Sequence, residues 1–273
     1  MRNGIATDKL DQFRNHLKIF LDSLDDSQTE ENQKGYMKDF LDKSFYSGQY
    51  LISNDENRID TVIRTGATAK DAIGVIIETK STSNASEMMS VANLHCKAFY
   101  ETIYYYLEQR IVQKNTELKY IVITNMYEWF IIDALEYNRL FFQNAKVVNT
   151  FKRFMRGEFS SKNTPIFYNE LCPSLVDKID RQIHSVHIDL REWKNKDGGI
   201  KEKIQNLYKL FSPRYLLKRY DIQDSNLLNK DFYSELLYIM GLAEKDQDGK
   251  RVIGRVSLKQ RRDGAMMENT IDY

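Results

Sequence analysis

Three residues have types and spacing suited to phosphoryl chemistry. Asp60 stands in the run Ile59-Asp60-Thr61-Val62-Ile63, and Glu78 and Lys80 close the run Gly74-Val75-Ile76-Ile77-Glu78-Thr79-Lys80. On a strand, residues i and i+2 point to the same side. Glu78 and Lys80 therefore share a face, and Asp60 joins them if the two runs pair. Two carboxylates and an ammonium at the end of an apolar sheet are costly unless they are paired or bind a metal. Asp60 and Glu78 are the expected metal ligands. Their oxygens suit Mg²⁺, a hard cation that keeps several waters, with Mn²⁺ as a substitute. Lys80 beside them can hold or deprotonate a water and can stabilise charge on a phosphate. The chemistry implied is phosphodiester hydrolysis. Taken alone, Glu-x-Lys is common and reads more readily as a structural ion pair at a strand end.

The elements around these residues can be read from hydrophobic spacing. Leu10, Phe13, Leu17, Phe20, Leu21 and Leu24 recur at helical intervals and predict a helix over 8–24. A second helix is expected over 30–44, with Tyr36, Met37, Phe40 and Leu41 on one side. Strands are expected over 49–53, 58–64 and 72–80, the last two joined as a hairpin by the loop around Gly66. The apolar run Val75-Ile76-Ile77 is that of a strand covered on both faces. A long helix over 87–113 and a strand over 120–124 complete a crossover, which predicts a parallel pair. Trp129–Asp133 reads as a further strand. Helices are expected over 138–156, 174–184, 200–211 and 229–242.

The order helix, strand, strand with Asp60, strand with Glu78-x-Lys80, long helix, strand resembles the αβββαβ core of the PD-(D/E)xK nucleases. Many members of that superfamily carry a supporting glutamate on the helix before the strands. On a helical wheel Glu30 falls on the side of Met37 and Phe40, whereas Glu31 points away, so Glu30 is the expected fourth site residue. Both glutamates also read as favourable charges at a helix N-terminus. The phrases Glu30-Glu31-Asn32-Gln33-Lys34, Gly74 to Lys80, Asn93-Leu94-His95-Cys96-Lys97-Ala98, Ile123 to Phe130 and Phe232 to Leu242 resemble the N-terminal part of Eco57I-like type IIG restriction–modification enzymes.

That resemblance implies an α/β fold: a restriction-endonuclease-like core with a mixed central sheet flanked by helices, followed by a mainly helical connector. It divides the chain into an N-terminal helix (1–27), a nuclease-like core (28–149), a connector (150–245) and a linker (246–273). The linker would lead towards methyltransferase and target-recognition domains not contained in these residues. It implies double-stranded DNA as substrate. The chain has no Asn-Pro-Pro-Tyr and no glycine-rich S-adenosylmethionine loop. Lys97 could contact a phosphate, and Asn93 carries the same reading; both also read as ordinary helix surface. Two rival functions stay open: a catalytically silent nuclease-like fold that binds DNA or a methyltransferase, and an enzyme acting on RNA.

Composition sets outer bounds. The 273 residues are 42% hydrophobic and 29% charged, with 3 Pro and 12 Gly, which fits a packed globular chain. No run of about 18 apolar residues predicts a membrane span. Cys96 and Cys172 lack CxxC spacing, which argues against a disulfide framework or a zinc site and for a reducing cytoplasm. Residues 1–150 carry 17 Lys and Arg against 21 Asp and Glu, whereas the remainder carries 23 against 18. The basic second half could meet phosphates or simply be solvated surface. His184 and His187 stand three apart as on a helix, but no further His or Cys lies near to complete a zinc site. The run Tyr104-Tyr105-Tyr106 could stack on bases or pack in the core. No Walker A motif, dinucleotide fingerprint or Gly-x-Ser-x-Gly is present.

Overall fold

A computed structural model describes residues 5–56, 58–91, 93–159, 164–176, 183–194, 201–217, 237, 242–247 and 250–255. Helix α1 spans Thr7–Ser23. Helix α2 (Glu30–Leu41) starts where the Thr29 hydroxyl accepts from the Asn32 amide, and runs on into a π-helical turn, Asp42–Tyr46. Strands β1 (Ile52–Glu56), β2 (Ile59–Arg64) and β3 (Ile73–Thr79) follow. Helix α3 (Lys97–Leu107) widens into a turn over Glu108–Val112. Next come β4 (Tyr120–Thr124), β5 (Glu128–Asp133), the short α4 (Ala134–Tyr137) and α5 (Ala145–Arg156). The described remainder holds α6 (Thr164–Ile166), α7 (Cys172–Val176), β6 (Ser185–Asp189), α8 (Arg191–Lys194), α9 (Lys201–Phe211), α10 (Pro213–Leu216), β7 (Leu242–Gln247) and β8 (Lys250–Arg255).

The fold is mixed α/β. Strands β1 to β6 form one six-stranded sheet in sequence order. Every neighbouring pair is antiparallel except β3 and β4, which run parallel through the α3 crossover. Strand β3 is buried along its whole length, as its unbroken apolar run requires. Its alternate residues feed two cores. Ile76 packs with Phe99, Ile103 and Tyr106 of α3 and with Phe151 and Phe154 of α5. Val75 and Ile77 pack with Phe13, Phe20 and Leu17 of α1, Met37 and Phe40 of α2, and Phe211 of α9. The sheet is thus a central layer between two helical layers.

Several expectations need correction. The long helix starts at Lys97 rather than 87. Ser90 and Asn93 close a local turn in which the Ser90 hydroxyl accepts from the Asn93 amide, and the Asn93 side chain accepts from the His95 amide. Such side-chain bonds compete with helix, so Asn93 lies in a turn and not on α3. The helix expected over 138–156 is broken at Gln143-Asn144, where the Asn144 side chain caps α5. The connector is not simply helical: Ser185–Asp189 adds the sixth strand to the sheet, pairing with β5 from Glu128↔Asp189 to Ile132↔Ser185. Its alternation, Val186 and Ile188 against Ser185, His187 and Asp189, is a strand period.

Within the linker expected over 246–273, Lys250–Arg255 form β8, which pairs antiparallel with β7. Of the helix expected over 229–242, Leu237 is helical and buried and Leu242 opens β7 instead; its other residues, and the linker beyond 255, lie outside the described residues. The compact unit runs over Met1–Lys218, with a second unit over Arg219–Tyr273. The expected break at 149/150 therefore falls inside the first unit, and α1 belongs to its core. Contacts across that position are close. The Tyr46 hydroxyl donates to the Phe211 carbonyl at 2.8 Å, and the Tyr120 and Tyr215 rings stack at 5.1 Å. Gly74 leaves room for Leu217, whose Cδ2 would stand 2.5 Å from a Cβ at that position.

Candidate active site

Register and strand period bring the acidic residues together. Thr61 pairs with Ile77 across β2 and β3, so Asp60, one step further, comes opposite Glu78 and shares its face. Lys80 follows β3 directly, and its amide donates to the Thr124 carbonyl at 2.9 Å, which extends the β3–β4 ladder past the strand end. The face carrying Glu78 and Lys80 looks towards α3, which contributes Glu101.

Each side chain has defined partners. Glu78 is 2% exposed. Its Oε1 accepts from Lys80 Nζ, and its Oε2 is buried without a hydrogen-bond partner. Lys80 Nζ also donates to Glu101 Oε2 at 2.8 Å. Asp60 Oδ2 accepts from both the amide and the hydroxyl of Thr79, at 2.9 and 2.8 Å. Asp60 Oδ1 lies 3.5 Å from Lys34 Nζ. Lys34 is itself buried and meets Asp55 at 2.6 Å and Glu31 at 2.8 Å. Asp55, within β1, is held in the left-handed region, φ 53°, at the position that the β1–β2 register skips between Asn54 and Glu56. Glu30 Oε2 accepts from the Ser81 amide at 3.1 Å. Gln33 grips the next residue twice, accepting from the Thr82 amide and donating to the Thr82 hydroxyl. The first turn of α2 thus fixes the chain immediately after Lys80.

The electrostatics follow from burial and mutual repulsion. Burial, then the Asp60 charge, push the Glu78 carboxyl well above the usual carboxylate range; Lys80 opposes this, and Glu101 adds to it. Glu78 also meets the Glu101 carboxyl within hydrogen-bond reach; two carboxylates cannot donate to one another, so a proton retained between them or a cation would satisfy the Glu78 oxygen that has no donor. Burial alone would lower the Lys80 ammonium, but Glu78 and Glu101 outweigh it and hold the charge above its ordinary range. Lys34 behaves alike: burial lowers it, and Asp55, Glu31 and Asp60 raise it further. Glu30 is raised by burial and by Asp60, with Lys80 opposing. Burial and then the Glu78, Glu101 and Asp60 charges also raise the Tyr105 hydroxyl, which marks that ring as a neighbour of the cluster.

The structure therefore brings Asp60, Glu78 and Lys80 into one cluster, with Glu30 at its edge. Glu31 meets the cluster only through Lys34. Lys97 stands at the start of α3, paired with Glu87 at 3.2 Å. Glu101 and Lys34 were missed. Glu101 carried a signal, as an acid within the aromatic stretch Ala98 to Leu107, every residue of which is buried. His184 and His187 do not pair as ligands: His184 lies 3.4 Å from Glu136, and His187 stacks on Phe130 and lies 3.4 Å from Glu128. Cys96 and Cys172 are free and buried. Tyr104 and Tyr106 pack in the α3 core.

As a test for a metal, the donor set is oxygen only, and the buried partnerless Glu78 Oε2 is an acceptor that a hard cation would satisfy. Among the described residues no group of three or more His, Cys, Asp or Glu forms a ready ligand set. The cluster accordingly fits a cation held by two carboxylates and water, the habit of Mg²⁺, and not a closed protein cage.

Residues 1–224 match a domain of unknown function, DUF7149, and the chain belongs to that family. Residues 225–273 match a second domain of unknown function, DUF7814. The junction between the matches lies close to the end of the first compact unit at Lys218. No curated protein and no solved structure matches the chain. Among the described residues no helix is long and apolar enough to cross a membrane.

Proposed function

We propose that the chain is a metal-dependent nuclease acting on DNA, and that the cluster at the end of β3 is its active site. The observation that carries this reading is Glu78 Oε2, buried and partnerless between other carboxylates and beside a lysine. A stable fold has little reason to keep such an atom unless something binds it. The helix, three strands, helix, strand order of α2 to β4 agrees with a restriction-endonuclease-like core. The resemblance to Eco57I-like type IIG enzymes supports double-stranded DNA as substrate and a restriction system as context.

Asp60 and Glu78 would hold Mg²⁺ or Mn²⁺, which when bound supplies a Lewis acid to the phosphate and acidifies water. Lys80 is held protonated by Glu78 and Glu101 in the metal-free site. It would donate to a phosphate oxygen and offset the charge that builds there as the water oxygen bonds to phosphorus and the ester P–O bond breaks, with the water's proton passing to solvent and the leaving oxygen taking one from solvent. Thr79 orients Asp60 through two donors. Glu30 and Gln33 fix Ser81 and Thr82, and thereby the position of Lys80. Glu101 shares the Lys80 ammonium and turns it towards Glu78.

A second reading has its own observation. Lys80 already neutralises Glu78 and Glu101, and Lys34 already spans Asp60, Asp55 and Glu31. A network so closed also describes a silent fold that only binds DNA or a methyltransferase. Calorimetric titration of Mn²⁺ into the chain and into Asp60→Asn and Glu78→Gln, beside cleavage assays on plasmid DNA, separates the two. Saturable binding and nicking, both lost in both variants, support the nuclease. Nicking retained by either variant, or DNA binding without any metal effect, overturns it.

A further inference from the structure

Lys34 is a buried cation that the proposed chemistry does not use. Its side chain is 6% exposed, and α2 carries it to within 3.5 Å of Asp60 Oδ1. The β1–β2 register passes from Asn54↔Thr61 to Glu56↔Ile59, so Asp55 and Asp60 stand opposite each other at the intervening step. Two like charges facing across an antiparallel pair repel, and the Lys34 ammonium meets both. Glu31, three residues earlier on the same helix, reaches it as well.

The three contacts are unequal. Asp55 Oδ1 lies at 2.6 Å and Glu31 Oε2 at 2.8 Å, both within hydrogen-bond length. The Asp60 contact, at 3.5 Å, is longer than an N–H···O bond usually is. The two short contacts are made by exposed carboxylates, and the long one by the expected metal ligand, whose side chain is 18% exposed. The backbone of Asp55 is committed to this arrangement: it holds φ 53°, a conformation that Asp and Asn tolerate better than other side chains do. The ammonium is thus drawn away from Asp60 and towards acids that face solvent.

We infer, on the reading of Asp60 and Glu78 as metal ligands, that Lys34 sets the cation affinity of the site, and that Asp55 and Glu31 hold its ammonium clear of Asp60 Oδ1 so that a divalent ion can reach that oxygen. An ion on Asp60 would be a near neighbour of the Lys34 ammonium, and like charges at such range oppose each other even where solvent partly screens them. Held back by Asp55 and Glu31, Lys34 lowers the affinity of the site. Released onto Asp60, it competes for the same oxygen. A Lys34 that only supported Asp60 would have the opposite signature, because its removal would weaken the binding of the ion.

The test is titration of Mn²⁺ alone into the full chain, read by calorimetry and by loss of the free-ion electron paramagnetic resonance signal, with no DNA present. Lys34→Met is expected to bind Mn²⁺ about tenfold more tightly than the parent. Asp55→Asn/Glu31→Gln, at exposed positions, is expected to bind several-fold more weakly, since the ammonium is left to Asp60. Combining all three changes separates this coupling from the plain loss of two acids. The triple variant should bind as Lys34→Met does, whereas a direct effect of the acids on the ion would persist in it. Circular dichroism checks each fold, and the double variant serves by itself if Lys34→Met does not fold. Unaltered or weaker binding in a folded Lys34→Met, unaltered binding in the double variant, or a loss that persists undiminished in the triple variant overturns the role of Lys34 and leaves the metal site standing. Binding that survives Asp60→Asn, or none in the parent and none in Lys34→Met, removes the metal site itself and the role of Lys34 with it.

Discussion

Two charge clusters sit on the same sheet and differ in almost every energetic respect. At the end of β3, Glu78, Lys80 and Glu101 are withdrawn from water with Asp60 partly buried beside them, and one carboxylate oxygen has no donor. At the β5–β6 edge, Arg191 donates to Glu128 and to Asp189, at 3.0 Å each, and its guanidinium lies 5.7 Å from the Tyr127 ring centre. Arg191 is about half exposed. The same residue types therefore form a burdened site in one place and a solvated surface pair in the other. Burial, not the list of charges, decides which cluster is a candidate for chemistry.

The comparison can be broken first at stability. Lys80→Ala strands two carboxylates, Glu78 and Glu101, in the interior, and a loss of about 3–5 kcal/mol is expected near neutral pH, read from urea unfolding. Replacing both partners, in Glu78→Gln/Lys80→Met, should recover much of it. A loss below about 1 kcal/mol for Lys80→Ala would mean that the cluster is hydrated like the edge. Activity comes next. On the proposed function, Lys80→Met should lower metal-dependent DNA cleavage by about 10²–10³-fold, whereas Arg191→Ala should leave it within roughly twofold.

The pH dependence sharpens the contrast further. Glu78 is raised above its ordinary value of 4.5 in the folded chain, so between that value and the raised one the folded state binds more protons than the unfolded state. Its contribution is fully present below about 4.5 and is lost as pH rises through that window, at up to about 1.4 kcal/mol per pH unit for one retained proton. Urea midpoints measured from pH 5 upward should fall in the parent and flatten in Glu78→Gln. Equal slopes in the two proteins would show that Glu78 keeps no proton. The smallest effect is expected at the edge, where Arg191→Ala should cost no more than about 1 kcal/mol and less again at high salt. A larger loss would show that the edge network carries structural weight.

The sequence made some of this legible and hid the rest for physical reasons. Strand β3 was readable because a strand covered on both faces must be apolar without interruption, and Glu78 and Lys80 then stand out at its end. The parallel β3–β4 pair followed from the crossover length. Strand β6 was misread because His184 and His187 fit a helical spacing, although Val186 and Ile188 alternate as a strand does. The start of α3 was overrun because Ser90 and Asn93 bind the backbone locally, an effect that hydrophobic spacing does not register. Lys34 was hidden because a buried lysine on a helix looks like a solvated one until its partners, Asp55 and Asp60, arrive from other elements.

The lone parallel pair also sets an order of events during synthesis. Strands β1 to β3 can pair as hairpins as soon as they emerge, but β3 finds its other neighbour only after α3 and β4 have been made. Until then Asp60, Glu78 and Lys80 remain in water, with ordinary solvation and no Glu101 beside them. The last strand-forming contact of the cluster, from the Lys80 amide to the Thr124 carbonyl, is thus a checkpoint. A ribosome-bound chain that has not passed it holds the acidic residues but not the environment that perturbs them.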